Sequence, residues 1–490
     1  MSFGPPPAPY TASVLDARRR NRRRRGLVLG TVALLAAAVT VAVWTLAAGG
    51  ETPADRRPAA ARQDPDDIRE TVETRPRTPD SVGVLLVRKT IRTVGQNVPA
   101  AGTWATGTTF AKGYGNRVEG YRLGAPAAED GNDASREAWH ITFPAAPCAV
   151  TQHVSVDGRT AVVHPGRAPG KNADETDLLD LPCDRLTVFD VDTGKRLWTV
   201  KLPGDGSAMN ANVTMADGAV AVSWGTGSAA YDMTGGKRLW ADPTPSACTD
   251  LGFGGGRELV ALQTCGESAD PTYRVQKVNP RTGKALWTYK VAPGVNEVFV
   301  VSSSPAVVAV AAGDYQVTDL IALSDTGRAR GTIRIDRDHQ AVRCDGTFNA
   351  AVEACRGIVV GQEQAYISTN GEVVAYDLDT GNTVFKFDSP DGRETHPLRM
   401  SGGKVVAYRK GSSFGPDSIV SLDPATRRQT ALLYFSGGHE LLDVNDPVHS
   451  DDVLYEQGRV FFAARGVTGP ADKGEVGGSE VLAVGIESVG

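Results

Sequence analysis

The sequence predicts an all-β protein: an eight-bladed (alternatively seven-bladed) β-propeller of four-stranded antiparallel blades, preceded by one transmembrane helix. Three observations predict it. A strand–turn–strand phrase recurs at blade-sized intervals, 55 glycines and 29 prolines supply tight turns rather than long helices, and one uncharged apolar run stands near the start.

The phrase reads TVFDVDTGKRLWTV around Trp198, AAYDMTGGKRLWAD around Trp240 and QKVNPRTGKALWTY around Trp287. A fourth copy, VAYDLDTGNTVFKFD, carries Phe385 in place of the tryptophan, and weaker copies lie near Ala322 and Leu422. An earlier copy is split by an acidic insertion between Gly120 and Trp139, and a half-copy, EVLAVGIESVG, ends the chain. In each copy alternating apolar residues make a strand, D-x-x-T-G makes the turn, and an apolar-aromatic run makes the returning strand. The Asp and Thr side chains bond turn backbone groups, and a glycine (Gly194, Gly283, Gly381) takes positive φ at low cost. The clear tryptophans are spaced by 42 and 47 residues, the length of a several-stranded repeat unit. A hairpin alone is marginal, so its faces must be covered by neighbouring sheets. Trp198, Trp240, Trp287 and Phe385 are therefore expected to be wedges between blades rather than stacking platforms for a substrate. Eight hairpin positions fall between Tyr121 and Val484, and Val82–Arg92 is expected to join the last strand so that one blade is completed from both ends.

These phrases resemble the tryptophan-docking motif of the pyrroloquinoline-quinone-like β-propellers, strongly at Trp198, Trp240 and Trp287 and weakly over the rest of 83–490. The resemblance implies the fold and leaves the function open, because the family includes quinoprotein dehydrogenases and also non-enzymatic propellers such as the β-propeller subunit of the outer-membrane β-barrel assembly machinery. It implies for a dehydrogenase a quinone stacked on a ring formed by two adjacent, disulfide-joined cysteines, with a tryptophan on its other face. A calcium ion and an aspartate base complete such a site. No two cysteines are adjacent here, and Asp388-Ser-Pro-Asp391-Gly-Arg-Glu394 has only part of a calcium-loop spacing. No cofactor and no metal are expected.

Gly26 to Ala48 contains no charge and is long enough to cross about 30 Å of hydrocarbon as a helix. Arg18–Arg25, RRRNRRRR, stands before it and Trp44 near its far end, which places the N-terminus in the cytoplasm and the propeller outside the cell membrane. The competing reading, a cleaved export signal, has a shorter apolar core of about 7–15 residues. The domain reading is a basic, disordered tail over 1–25, the transmembrane helix over 26–48, a Pro-rich, charged, solvated linker over 49–81 and the propeller over 82–490.

Six cysteines, Cys148, Cys183, Cys248, Cys265, Cys344 and Cys355, all lie beyond the apolar run and form no CxxC motif. An even count in an exported domain reads as disulfides, with fifteen pairings open. Sequential pairing staples local segments, and Cys248 and Cys265 bracket a hairpin that turns at Gly254–Gly256.

Charge excludes one class of partner. Seven arginines and one aspartate up to Arg25 give +6, so the remainder carries −11 within a total of −5. A moderately acidic ectodomain does not suit nucleic acid. The seven histidines are scattered without zinc-ligand spacing, and no nucleophile elbow, P-loop or dinucleotide motif occurs. The expected function is a membrane-anchored, extracytoplasmic scaffold that binds an unidentified protein or cell-envelope component, with no catalysis. The alternatives are a degenerate quinoprotein-like oxidoreductase and a small-ligand sensor. Glu129–Asp133 and the loop Pro165 to Pro182 are candidate contact loops.

Overall fold

The computed structural model describes residues 66–69 and 82–488, apart from loops at 93–96, 125–136, 171–180, 207–209, 243–246, 267–270, 314, 345–351, 354, 390–391, 413–414, 436–451 and 469–478. The expected tail and transmembrane helix, with the acidic insertion Glu129–Asp133 and most of the loop after Pro165, lie outside the described residues.

Among the described residues, eight antiparallel sheets of four strands each follow one another along the chain. Blade 1 begins at strand Thr103–Ala105, blade 2 at Ala149–Val150, blade 3 at Ala211–Ala216 and blade 4 at Cys248–Gly254. Blade 5 begins at Val295–Ser303, blade 6 at Ile358–Val360, blade 7 at Thr395–Ser401 and blade 8 at Asp452–Glu456. The first strands of blades 3 to 8 neighbour one another in sequence around the ring, so first strands line the axis and fourth strands lie outside. Each first strand turns into the second on one face, where the D-x-x-T-G turns also lie (the turn face). Connections between blades lie on the opposite, loop face. Side chains alternate between the two neighbouring blades, so the inner strands of blade 3, Ala211–Ala216 and Ala219–Trp224, are buried at every position.

The ring closes as the sequence predicts. Blade 8 takes three strands from the C-terminal end, and its outer strand is Gly83–Arg92, paired antiparallel with Ser479–Ser488. This strand presents Lys89 to blade 1. Glu119 is buried there, ion-paired to Lys89 at 2.9 Å and Arg117 at 2.7 Å, and it accepts hydrogen bonds from the Tyr114 and Tyr121 hydroxyls. Burial pushes the Glu119 carboxyl up, but the bonds from Tyr114, Tyr121 and Lys89 outweigh it and hold the carboxyl below its ordinary range. At the inner end of the same seam Asp452 accepts from Arg465 at 2.7 Å and from Thr103 at 2.8 Å. Burial pushes this carboxyl up too, and the charges of Arg465 and Lys112 bring it net downward.

A carboxyl held low in the folded state contributes stability above its unfolded value of about 4, and that contribution is lost as pH falls through the depressed folded value. Thermal unfolding from pH 6 to 3 should therefore show a steeper acid loss for the native chain than for Glu119→Gln. Parallel curves for the two proteins would show that the seam carboxylate contributes nothing to acid sensitivity.

Candidate functional site

The axis of the ring is occupied by the chain itself. Between blades 5 and 6 a short hairpin, Arg343–Cys344 paired with Cys355–Arg356, leaves the loop face and is closed by the disulfide Cys344–Cys355. Its descending residues Val352 and Glu353 enter the channel. The Val352 carbonyl accepts from the Val300 backbone N–H on the first strand of blade 5 at 2.7 Å. The Glu353 side chain is buried, and one carboxylate oxygen accepts from Gly255 N–H at 2.6 Å while the other accepts from Thr214 Oγ1 at 2.9 Å. His153 Nε2 of blade 2 stands 3.1 Å from the same carboxylate. One acid thus joins the inner walls of blades 2, 3 and 4. Gly255 permits this approach, because a side chain there would run into Thr214 Oγ1 and the Met215 carbonyl.

A second segment crosses the turn face. Asp67–Arg69 pairs antiparallel with Val154–Val156: Arg69 N–H donates to the Val154 carbonyl and Val156 N–H to the Asp67 carbonyl, both at 2.7 Å. Ile68 is 1% exposed and packs into the core shared by blades 2 and 3, a burial that stabilises by about 1.5–3 kcal/mol. Asp66 binds Arg159 at 2.5 Å, and Arg69 pairs with Glu456 of blade 8, which Arg399 of blade 7 also meets at 3.3 Å. The expectation of a wholly solvated linker therefore needs correction at 66–69. One aliphatic side chain within a polar stretch is enough to seat an extended segment when strand edges are available for pairing. The rest of the channel mouth is a cavity of about 600 Å³, open on the turn face and walled chiefly by the inner strands of blades 5, 6 and 7.

The residues singled out from the sequence lie away from this cavity, at the outer rim of the blades. Trp198 Nε1 donates to the Met233 carbonyl at 2.9 Å and Trp240 Nε1 to the Pro280 carbonyl at 2.8 Å, each on the following blade. A Cβ at Gly236, Gly283 or Gly327 would sit 2.7, 2.8 or 2.9 Å from the ring of Trp198, Trp240 or Trp287. Gly194 stands in the same relation to Trp139, and these turn glycines have φ between 68° and 71°. Phe385 instead faces the Arg427 guanidinium, 3.0 Å from its ring centroid. Gly381 abuts the Thr332 carbonyl of a blade whose fourth strand has Gly331 where others carry an aromatic. The turns are built as expected, with Asp190 accepting from Thr193 N–H at 2.8 Å and Asp377 from Thr380 N–H at 2.8 Å.

The cysteines pair in order along the chain: Cys148–Cys183, Cys248–Cys265 and Cys344–Cys355. No tryptophan and no cysteine borders the cavity, so the residues present do not fit a stacked pyrroloquinoline quinone. Among the described residues no three His, Cys, Asp or Glu side chains converge as metal ligands. Sequence reasoning missed Ile68, Val352 and Glu353. The only available signals were an isolated isoleucine in a charged stretch and an acid two residues before a cysteine.

A family model described as outer membrane protein assembly factor BamB matches residues 183–429. Among solved structures, BamB from Moraxella catarrhalis is 12% identical, covering 83% of this chain and 98% of that one, with a TM-score of 0.42. A europium-containing methanol dehydrogenase is 13% identical, covering 82% and 92%, with a TM-score of 0.43. No curated protein matches the chain.

Glu353→Ala leaves the Gly255 N–H and the Thr214 hydroxyl without their acceptor, a loss of about 1–3 kcal/mol. Urea unfolding should register that loss, and hydrogen exchange should rise at Ala211–Ala216 and Cys248–Gly254. Unchanged exchange at both strands would show that the acid does not hold the inner walls together.

Proposed function

The chain belongs to the family of the outer membrane protein assembly factor BamB, and from that premise we propose that it is a non-catalytic propeller that binds another protein in the cell envelope. The single observation that carries this reading is the use made of the axis. Among the acidic and basic groups near the axis, Glu353, Glu456 and Arg399 are engaged with one another or with the chain's own backbone and hydroxyl groups. What remains is a rigid ring with an open cavity and two broad faces, a geometry suited to recognition.

Membrane tethering and an extracytoplasmic position belong to the same proposal. The uncharged run Gly26 to Ala48 behind Arg18–Arg25 supports an anchor with the propeller outside. Three disulfides and no free cysteine among the described residues suit an oxidising compartment. The quinoprotein reading has no observation in its favour at the cavity, where the stacking residues are missing.

Two measurements on intact cells test the proposal. The full chain should stay with membranes under alkaline extraction while its propeller is cut by protease added outside. Chemical cross-linking with several linker lengths should recover the same foreign protein repeatedly. Recovery of the chain alone at every length, with the protein abundant in the membrane, would overturn the scaffold reading.

A further inference from the structure

Both chain segments on the axis are held in the same way. Each bonds the backbone of a first strand or of the turn that follows one, and each adds a buried group to the wall; Ile68 does so as an antiparallel bridge and Val352–Glu353 as a turn. Ile68 does this at blade 2 and Val352 with Glu353 at blades 3 to 5. In all these sheets the first strand has a hydrogen-bonded neighbour on one side only, so its other edge faces the axis. The remaining sector, at blades 5 to 7, has the same edges but borders the cavity.

That sector differs from a plain opening in two respects. Register shifts take Val301 on blade 5 and Leu398 on blade 7 out of their ladders, and both line the cavity. A bulged residue leaves backbone groups unpaired by the ladder and re-aims its side chain. The apolar floor, with Val301, Ile358, Val360 and Met400, is bordered by the exposed Arg257 and Glu363, and by Arg399 and Glu353, which are already engaged within the chain. This resembles the chemistry around Ile68, where Asp66, two residues before it, pairs with Arg159 and Arg69, next after it, pairs with Glu456.

We propose that the cavity at blades 5 to 7 is a strand-accepting site for an extended segment of a partner protein, an aliphatic residue flanked by an acid and a base. The aliphatic side chain fills the floor, the acid meets Arg257, the base meets Glu363, and the backbone pairs with an inner strand edge. The inference rests on the scaffold reading and names the site and the kind of segment through which the scaffold would bind.

The probe is a fluorescent synthetic peptide with the chain's own sequence from Gln63 to Val72, QDPDDIRETV, titrated against the full chain in detergent. Binding is read by anisotropy. Met400→Trp, which fills the floor, and Arg257→Glu, an exposed change, should each weaken it by about tenfold or more. A peptide with proline in place of its isoleucine should not bind. Binding that both variants leave unchanged but Ile68→Asp strengthens would place the peptide in the site vacated by Ile68 and overturn the proposal. Absence of binding to a native chain with an unaltered thermal transition would overturn it as well. Either failure leaves the scaffold reading standing, because cross-linking in cells reports partners held at any surface.

Discussion

Each sheet of this protein has broad apolar faces that only another sheet can cover, so the last sheet must meet the first. The ring is therefore a single physical constraint, and the strand Gly83–Arg92 satisfies it by completing a blade otherwise made from the end of the chain. Among the described residues no other strand pair joins residues quite so distant in sequence, the short pair Asn97–Pro99 with Gly466–Thr468 beside it coming next. The seam is also unusually polar inside. Lys89, Glu119, Tyr114 and Tyr121 form one network, with Asp452, Arg465 and Thr103 another at the inner edge. A purely apolar seam would close the ring as well, but with less discrimination between registers, since hydrophobic contact is non-directional. Lys89 reaches Glu119 only when Lys89 faces blade 1, and a one-residue slip would point it away.

Closing the ring creates a second problem at its centre. First strands have free edges, and with eight blades these edges surround a channel that side chains of one ring layer do not fill. The chain supplies two fillers from different directions. The disulfide-closed hairpin enters from the loop face, and Asp66–Arg69 lies across the turn face. Cys344 and Cys355 oppose each other directly in the hairpin, so their bond fixes the base from which Val352 and Glu353 descend. The acid two residues before Cys355 is suited to the place because it can accept bonds from two walls at once. A buried carboxylate without such donors would be strongly destabilising.

These two layers of organisation were unequally legible in the sequence. The blades were readable because their signals are local: an Asp that accepts from its own turn, a glycine at positive φ, and an aromatic at fixed distance from both. Trp198, Trp240 and Trp287 report the fold for that reason, and even the departures at Phe385 and Gly331 keep the turn spacing. The disulfide across Cys248 and Cys265 was readable too, because the two cysteines flank one hairpin and face each other across it. Ile68 and Glu353 were not. Their partners lie far along the chain, on strands whose spatial order becomes known only after the ring is closed. Asp-Asp-Ile-Arg has the composition of a solvated linker, and composition carries no information about which edges are vacant.

The filled axis bears on how this fold divides between chemistry and recognition. Catalysis at a propeller axis requires polar groups held in place yet available to a substrate. Here Glu353 is used by Gly255 and Thr214, and Glu456 by Arg69 and Arg399. Each of these acids holds two or more blades together, so redirecting it to a reacting molecule would remove a contact on which the inner wall depends. The open sector is bordered by Glu353 itself, whose carboxylate oxygens are already taken by Gly255 and Thr214. It offers aliphatic side chains, strand edges and one exposed charge of each sign at its rim. Aliphatic side chains and strand edges of that kind distinguish one extended segment from another by shape and by main-chain pairing.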